Sequence, residues 1–157
     1  MKLSITTKSS QETIEFAGKF LKKAQDTAET DKPLIFYLTG ELGAGKTHFV
    51  KGLAEALSIT DNVTSPTFVL MKKYVVSGDA ASQQAGKKLF FHIDCYRIYG
   101  AEDARQIGLD KILENPRAIV AIEWAERIYD IIPFPYWEIK FEHVGKGKRR
   151  ISIRKLT

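Results

Sequence analysis

Gly40-Glu41-Leu42-Gly43-Ala44-Gly45-Lys46-Thr47 matches the phosphate-loop pattern G-x-x-x-x-G-K-[ST] without a gap. Its surroundings fit the pattern. The apolar run Leu34-Ile35-Phe36-Tyr37-Leu38 before it reads as a buried strand, and residues 48–57 after it read as a helix. A phosphate loop lies between such a strand and such a helix. Gly43 and Gly45 permit backbone angles that a side chain forbids, so successive N–H groups can converge on phosphate oxygens. The following helix points its positive end at the same oxygens. The alternative, a glycine-rich turn beside a chance Gly-Lys-Thr, explains neither flank. The stretch predicts a bound nucleoside triphosphate.

Within that loop the residues divide the work. Gly43, Gly45, Lys46 and Thr47 carry the expected phosphate contacts. Lys46 is placed to reach the β- and γ-phosphates as a point charge. The Thr47 hydroxyl is placed on the Mg²⁺ that bridges them. Hydrolysis also needs carboxylates, and two acids end apolar strands. Glu123 follows Ile119-Val120-Ala121-Ile122, and Asp94 follows Phe90-Phe91-His92-Ile93. Ligands of open α/β sheets bind at that carboxyl edge. Glu123 is the first choice for the metal and Asp94 for orienting water or sensing the γ-phosphate, although the two roles are exchangeable at this stage. Each acid singly also fits a helix cap or surface ion pair. His92 shares a strand face with Asp94 and could orient it, or serve as a structural histidine. Thr64, Ser65 and Thr67 fit either a loop near the γ-phosphate or an ordinary turn. Trp124 fits a cover over the nucleotide, a contact with a partner, or core packing.

The chain of 157 residues is most simply one domain, 1–157, large enough for a real core. No apolar stretch spans a bilayer, and Met1-Lys2-Leu3-Ser4-Ile5 has no signal-peptide core, so a cytoplasmic location is expected. Cys95 is the only cysteine, which excludes an internal disulfide and fits a reducing compartment. The net charge of +5 owes much to Lys146, Lys148, Arg149, Arg150, Arg154 and Lys155. That basic end is either a solvated hairpin or a face for an acidic partner or RNA.

The remaining pattern predicts a mixed sheet. A capping box, Ser9 with Glu12, opens a helix that runs to about residue 28. Phe68-Val69-Leu70 and Tyr74-Val75-Val76 read as one strand, antiparallel to residues 89–93 across the polar stretch 77–88. Short helices are expected at 101–107 and 109–114, a buried strand at 117–122, and a hairpin of 136–141 with 149–153 around Gly145-Lys146-Gly147. The fold class is therefore α/β: a P-loop NTPase-like three-layer α/β/α arrangement with a mixed, mainly parallel sheet and antiparallel additions. No Asn-Lys-x-Asp guanine-reading motif is present, and Asp94 is not followed by x-x-Gly, which favours ATP over GTP.

Taken in order, four motifs resemble the TsaE (YjeE) family. They are the phosphate loop at 40–47, Ser65-Pro66-Thr67-Phe68, His92-Ile93-Asp94-Cys95-Tyr96-Arg97, and Val120-Ala121-Ile122-Glu123-Trp124. The resemblance spans nearly the whole chain. It implies an ATPase that acts with the TsaD and TsaB proteins in forming threonylcarbamoyladenosine at position 37 of tRNA, driving turnover of that complex and meeting tRNA through it. It implies ATP/ADP and Mg²⁺ as ligands, Leu42, Gly43, Ala44, Gly45, Lys46 and Thr47 as the nucleotide-binding set, Thr47 and Glu123 on the metal, and Lys46 and Asp94 needed for hydrolysis. It also implies an adenosine pocket around Ser10 and Gly147. The sequence departs from the family at His48, where a second hydroxyl residue is frequent, and at Cys95, which replaces leucine. Two other functions stay open on residues alone: a nucleotide-gated RNA-binding module using the basic hairpin, and a small-molecule kinase.

Overall fold

A computed structural model describes residues 1–66, 68–76 and 89–157. Thr67 and the polar stretch 77–88 lie outside the described residues. Among the described residues the chain forms a seven-stranded mixed sheet. Its strands are β1 (Lys2–Thr7), β2 (Leu34–Gly40), β3 (Met71–Val75), β4 (Leu89–Asp94), β5 (Ala118–Glu123), β6 (Tyr136–Gly145) and β7 (Lys148–Leu156). Their spatial order is β1-β7-β6-β2-β5-β4-β3. The central pairs β6·β2, β2·β5 and β5·β4 are parallel. The flanking pairs β1·β7, β7·β6 and β4·β3 are antiparallel.

Sequence explains why β2 and β5 are central. Every residue of β5 is buried, as are the first five of β2. A strand covered on both faces reads as a continuous apolar run rather than an alternation. Along β2, Phe36 and Leu38 face one core, while Ile35 and Tyr37 face the other. The first core lies under helices α1 (Ser10–Asp26) and α2 (Lys46–Ala56). There Phe20 meets Trp137 edge-on at 5.1 Å between ring centroids. The second core lies under α3 (Ala101–Gln106), α4 (Leu109–Leu113) and a 3-10 segment, Ala125–Ile131. These layers are the expected α/β/α arrangement.

The capping box forms at the start of α1. The Glu12 N–H donates to Ser9 Oγ at 3.1 Å. The Glu12 carboxylate reaches back one residue further than the simplest version, accepting from the Lys8 N–H at 2.7 Å. The helix ends at Asp26, two residues before the expected end.

Helices α1 and α2 approach closely because residue 52 has no side chain. A Cβ on Gly52 would lie 2.2 Å from the Ile14 carbonyl oxygen and 2.7 Å from Ala17 Cβ. Both obstacles are core atoms, so the helices themselves would have to separate. Gly52→Ala is expected to cost about 2–3 kcal/mol, in spite of alanine's better helix propensity. Thermal melting should show a fall of roughly 5–10 °C. An unchanged or raised melting temperature would mean that the two helices have room to move apart.

The expected strand over Phe68-Val69-Leu70 does not form. These residues make a turn in which the Leu70 N–H donates to the Pro66 carbonyl at 2.6 Å and Leu70 has φ 65°. Phe68 and Val69 are exposed. The strand begins only at Met71 and pairs antiparallel with β4 as expected.

Candidate functional site

The carboxyl ends of β2, β4 and β5 meet at one edge of the sheet. Asp94 is the register partner of Glu123, and Leu38 lies across from Glu123 on the other side. Strand β2 runs directly into the phosphate loop, and the loop runs into α2. Gly40, Gly43 and Gly45 all have positive φ, with Gly45 at 107° as the residue before the helix. A cavity of about 320 Å³ opens here. Leu42, Gly43, Gly45, Lys46 and Thr47 line it, together with Ser65, Asp94, Glu123 and Trp124. Ala44 is fully buried beneath the loop.

Lys46 is buried, and its ammonium donates to two carbonyls of its own loop, those of Gly40 and Glu41. It also stands 4.1 Å above the centre of the Trp124 ring. Burial pulls its pKa below the ordinary lysine value, and the carboxylates of Glu123, Glu126 and Asp94 oppose that shift. The charge is therefore desolvated, and its direct hydrogen-bond acceptors are neutral carbonyls, which prepares it for an anion. Trp124 has φ 57°, a left-handed conformation at the turn after β5. Backbone strain of this kind persists where the surroundings enforce it, often at functional sites. The tryptophan lines the cavity beside Tyr96, at 5.1 Å between centroids, and also packs against the second core.

The two acids have different neighbours. The Thr47 hydroxyl lies 3.0 and 3.1 Å from the two Glu123 carboxylate oxygens, placing it astride them. His92 Nε2 is 2.7 Å from Glu123 Oε1, and both side chains are buried. Asp94 is held elsewhere: Ser65 Oγ donates to Oδ2 at 2.7 Å, and the Tyr96 N–H donates to Oδ1 at 2.9 Å. His92 thus orients Glu123 rather than Asp94. Its register partner on β5 is Ala121, two residues before Glu123 on the same strand face, which brings the ring beneath the glutamate. Ser65 joins the site through Asp94.

A hydroxyl and a carboxylate side by side suit Mg²⁺, which is bound through few protein oxygens and completes its shell with phosphates and water. No group of three or more His, Cys, Asp or Glu residues is placed for a metal among the described residues. Cys95 takes no part. It is fully buried in the second core, and burial pushes its thiol up to about 12. It fills space as an apolar residue would.

Ser10 and Gly147 lie outside the cavity wall. Ser10 is the first residue of α1, and Gly147 sits in the β6–β7 turn. The chain still brings their neighbourhoods together, since a Cβ on Gly147 would lie 3.8 Å from the Lys8 carbonyl oxygen. The basic end divides. Arg154 is paired with Glu138, Lys155 donates to the Thr27 carbonyl at 3.0 Å, and Arg149 is buried. Lys146, Lys148 and Arg150 remain exposed. Arg149 is the residue that reading the sequence placed wrongly, as surface charge. It packs against Gly45 of the phosphate loop. The signal was available: it shares a strand face with Ile151 and Ile153, both core residues.

A sheet with parallel centre, a glycine-rich loop at its carboxyl edge and two strand-end acids define a P-loop NTPase-like nucleotide-binding protein. The TsaE family model, described as threonylcarbamoyl adenosine biosynthesis protein TsaE, matches residues 7–151. The TsaE protein of Treponema pallidum is 33% identical over 140 residues, covering 84% of this chain and 96% of its own. The Bacillus subtilis TsaE protein is 35% identical over 131 residues, covering 83% and 75%. The crystal structure of Bacillus subtilis YdiB superposes with a TM-score of 0.74 at 27% identity, covering 100% of this chain and 87% of that one. The chain belongs to the TsaE family of tRNA threonylcarbamoyladenosine biosynthesis.

Proposed function

We propose that the protein is a Mg²⁺-dependent ATPase that drives turnover of the TsaD–TsaB complex forming threonylcarbamoyladenosine 37 on tRNA. Family membership supports the pathway. The observation that carries the ATPase reading is the pairing of the Thr47 hydroxyl with the Glu123 carboxylate, beside a separately held Asp94. The loop N–H groups and Lys46 bind the phosphates. Thr47 and Glu123 would hold Mg²⁺, which would supply charge neutralisation for the phosphates, and His92 fixes the Glu123 orientation. Asp94, with Ser65 and the Tyr96 N–H fixing its carboxylate, orients the attacking water. Ser10 and Gly147 border the adenosine, which the approach of the β6–β7 turn to Lys8 supports. Leu42, Gly43, Ala44 and Gly45 complete the nucleotide-binding loop. TsaD and TsaB are the partners, and tRNA is met through them.

The competing idea of direct RNA binding by the hairpin keeps the exposed Lys148 and Arg150 but loses Arg149, which is buried against the phosphate loop. No helix among the described residues is long and apolar enough to cross a membrane.

Phosphate release from ATP with Mg²⁺, with and without TsaB and TsaD, tests the proposal. The pair should stimulate a slow basal rate. Asp94→Asn should keep ADP affinity within a few-fold and lower hydrolysis by about 10²-fold, as loss of a positioned catalytic group does. Equal loss of binding and hydrolysis would instead make Asp94 part of the nucleotide pocket. Fast turnover without stimulation by the pair would remove the partner-driven part of the proposal.

A further inference from the structure

Arg149 is a nine-tenths buried guanidinium whose Nη1 has no hydrogen-bond partner among the described residues. A buried charged donor left unpaired is costly, so it requires an explanation. Its surroundings are also of the wrong sign for a structural ion pair. Its cross-strand neighbours on β1 and β6 are Thr7 and His143, neither of them a carboxylate. The Thr7 hydroxyl is already paired with Thr13 at 2.8 Å. On its other side Arg149 meets the start of α2. A Cβ on Gly45 would lie 2.5 Å from Arg149 Nη1 and 2.9 Å from its Cδ. The first turn of α2 holds no acidic residue, and a helix N-terminus is positive. Lys46 adds a second buried cation one residue on.

Two buried cations and a positive helix end converge on one loop, and only an anion relieves them. We infer that Arg149, reaching from β7, is a nucleotide-binding residue that holds the α-phosphate of the bound nucleotide at the Gly45–His48 side of the loop. The division follows from position. Lys46 serves the β- and γ-phosphates and Thr47 the metal side, whereas loop N–H groups around Gly45 cradle the α- and β-phosphates. A guanidinium suits that task, because its rigid fork matches phosphate oxygens. The arrangement also accounts for glycine at position 45 from a second direction: any side chain there would displace Arg149.

This inference rests on the nucleotide-binding reading, and the test separates the two. Arg149→Met keeps the aliphatic stem and removes the charge, and Arg149→Lys keeps the charge without the fork. ADP binding by titration calorimetry, thermal melting without ligand, and ³¹P NMR of bound ADP are measured for the full chain. Arg149→Met is expected to weaken ADP binding roughly 10–100-fold, the range of a lost charge-assisted hydrogen bond. Its ligand-free melting temperature should be unchanged or higher, because an unpaired buried charge has gone. Arg149→Lys should fall between. At saturating ADP the α-phosphorus resonance should move more than the β. Wild-type ADP affinity in Arg149→Met overturns the inference. A lowered ligand-free melting temperature in both variants, with equal affinity loss, overturns it in favour of a structural strut. Movement of the β resonance alone overturns the α-phosphate assignment. Absence of ADP binding by the wild-type protein would remove the nucleotide reading itself, and this inference with it.

Discussion

Lys46→Ala is expected to weaken ADP and ATP binding by roughly 10–100-fold and to cut hydrolysis by a further 10²–10³-fold or so. The two effects have different origins. In the ligand-free protein the ammonium is buried, donates to the Gly40 and Glu41 carbonyls, and faces the Trp124 ring. Those neutral partners compensate poorly for lost hydration, which is why burial lowers its pKa. Exchanging two carbonyls for phosphate oxygens turns that deficit into binding energy. The further loss arises because charge grows on the transferring group in the transition state, where a preorganised cation in a dry site acts most strongly. The ligand-free melting temperature should hardly change, since alanine removes the desolvated charge along with its bonds. Calorimetry and phosphate release on the same preparation separate the two losses. Wild-type ADP affinity in this variant would show that the cavity is not a phosphate site.

The same loop shows what local sequence encodes well. Residues 40–47 combine glycine at positions requiring positive φ with a lysine and a hydroxyl, so the nucleotide-binding fold was readable there. Strands β2, β4 and β5 were legible because burial on both faces leaves unbroken apolar runs. Strand β1 was not, because Leu3 and Ile5 are only half-buried and the strand exists by pairing Lys2 to Thr7 with Arg154 to Arg149. That contact spans nearly the whole chain and leaves little local mark. Phe68-Val69-Leu70 misled for the opposite reason. Three apolar residues suggested a strand, but hydrogen bonds back to Pro66 and Val69 hold a turn that exposes two of them.

Within the site, the acids were legible as strand ends and their partners were not. Which carboxylate His92 touches depends on the register of β4 against β5, and that is set by pairing between distant segments. Arg149 was hidden among neighbouring lysines and arginines. Composition made it look like surface charge, whereas alternation along β7 assigns it to the face of Ile151 and Ile153. Charge runs on strands therefore need to be read with the period-two pattern before they are treated as an interface.

Glu123 is where these long-range contacts meet, and its two conservative and non-conservative replacements should behave differently. Glu123→Ala is expected to lose Mg²⁺-dependent hydrolysis by about 10²–10³-fold and to lower stability by about 1–3 kcal/mol. The stability loss follows from His92. Its Nε2 partner is Glu123 Oε1, and its Nδ1 is already buried without a partner among the described residues. Alanine would leave both ring nitrogens unsatisfied, and the Thr47 hydroxyl would lose its carboxylate acceptor as well. Glu123→Gln keeps an oxygen that can accept from either group, so its melting temperature should stay within a degree or two or so of wild type. It removes the negative charge all the same, and a neutral amide is a poor exchange for a carboxylate on a hard divalent cation. Its hydrolysis should fall nearly as far as that of the alanine variant, with a higher Mg²⁺ concentration needed for half-maximal rate. ADP binding without metal should survive in both, because the loop and Lys46 are untouched. Melting curves with Mg²⁺-titrated phosphate release distinguish the possibilities: wild-type Mg²⁺ dependence in Glu123→Ala would move the metal to another acid, with Asp94 the neighbour in register.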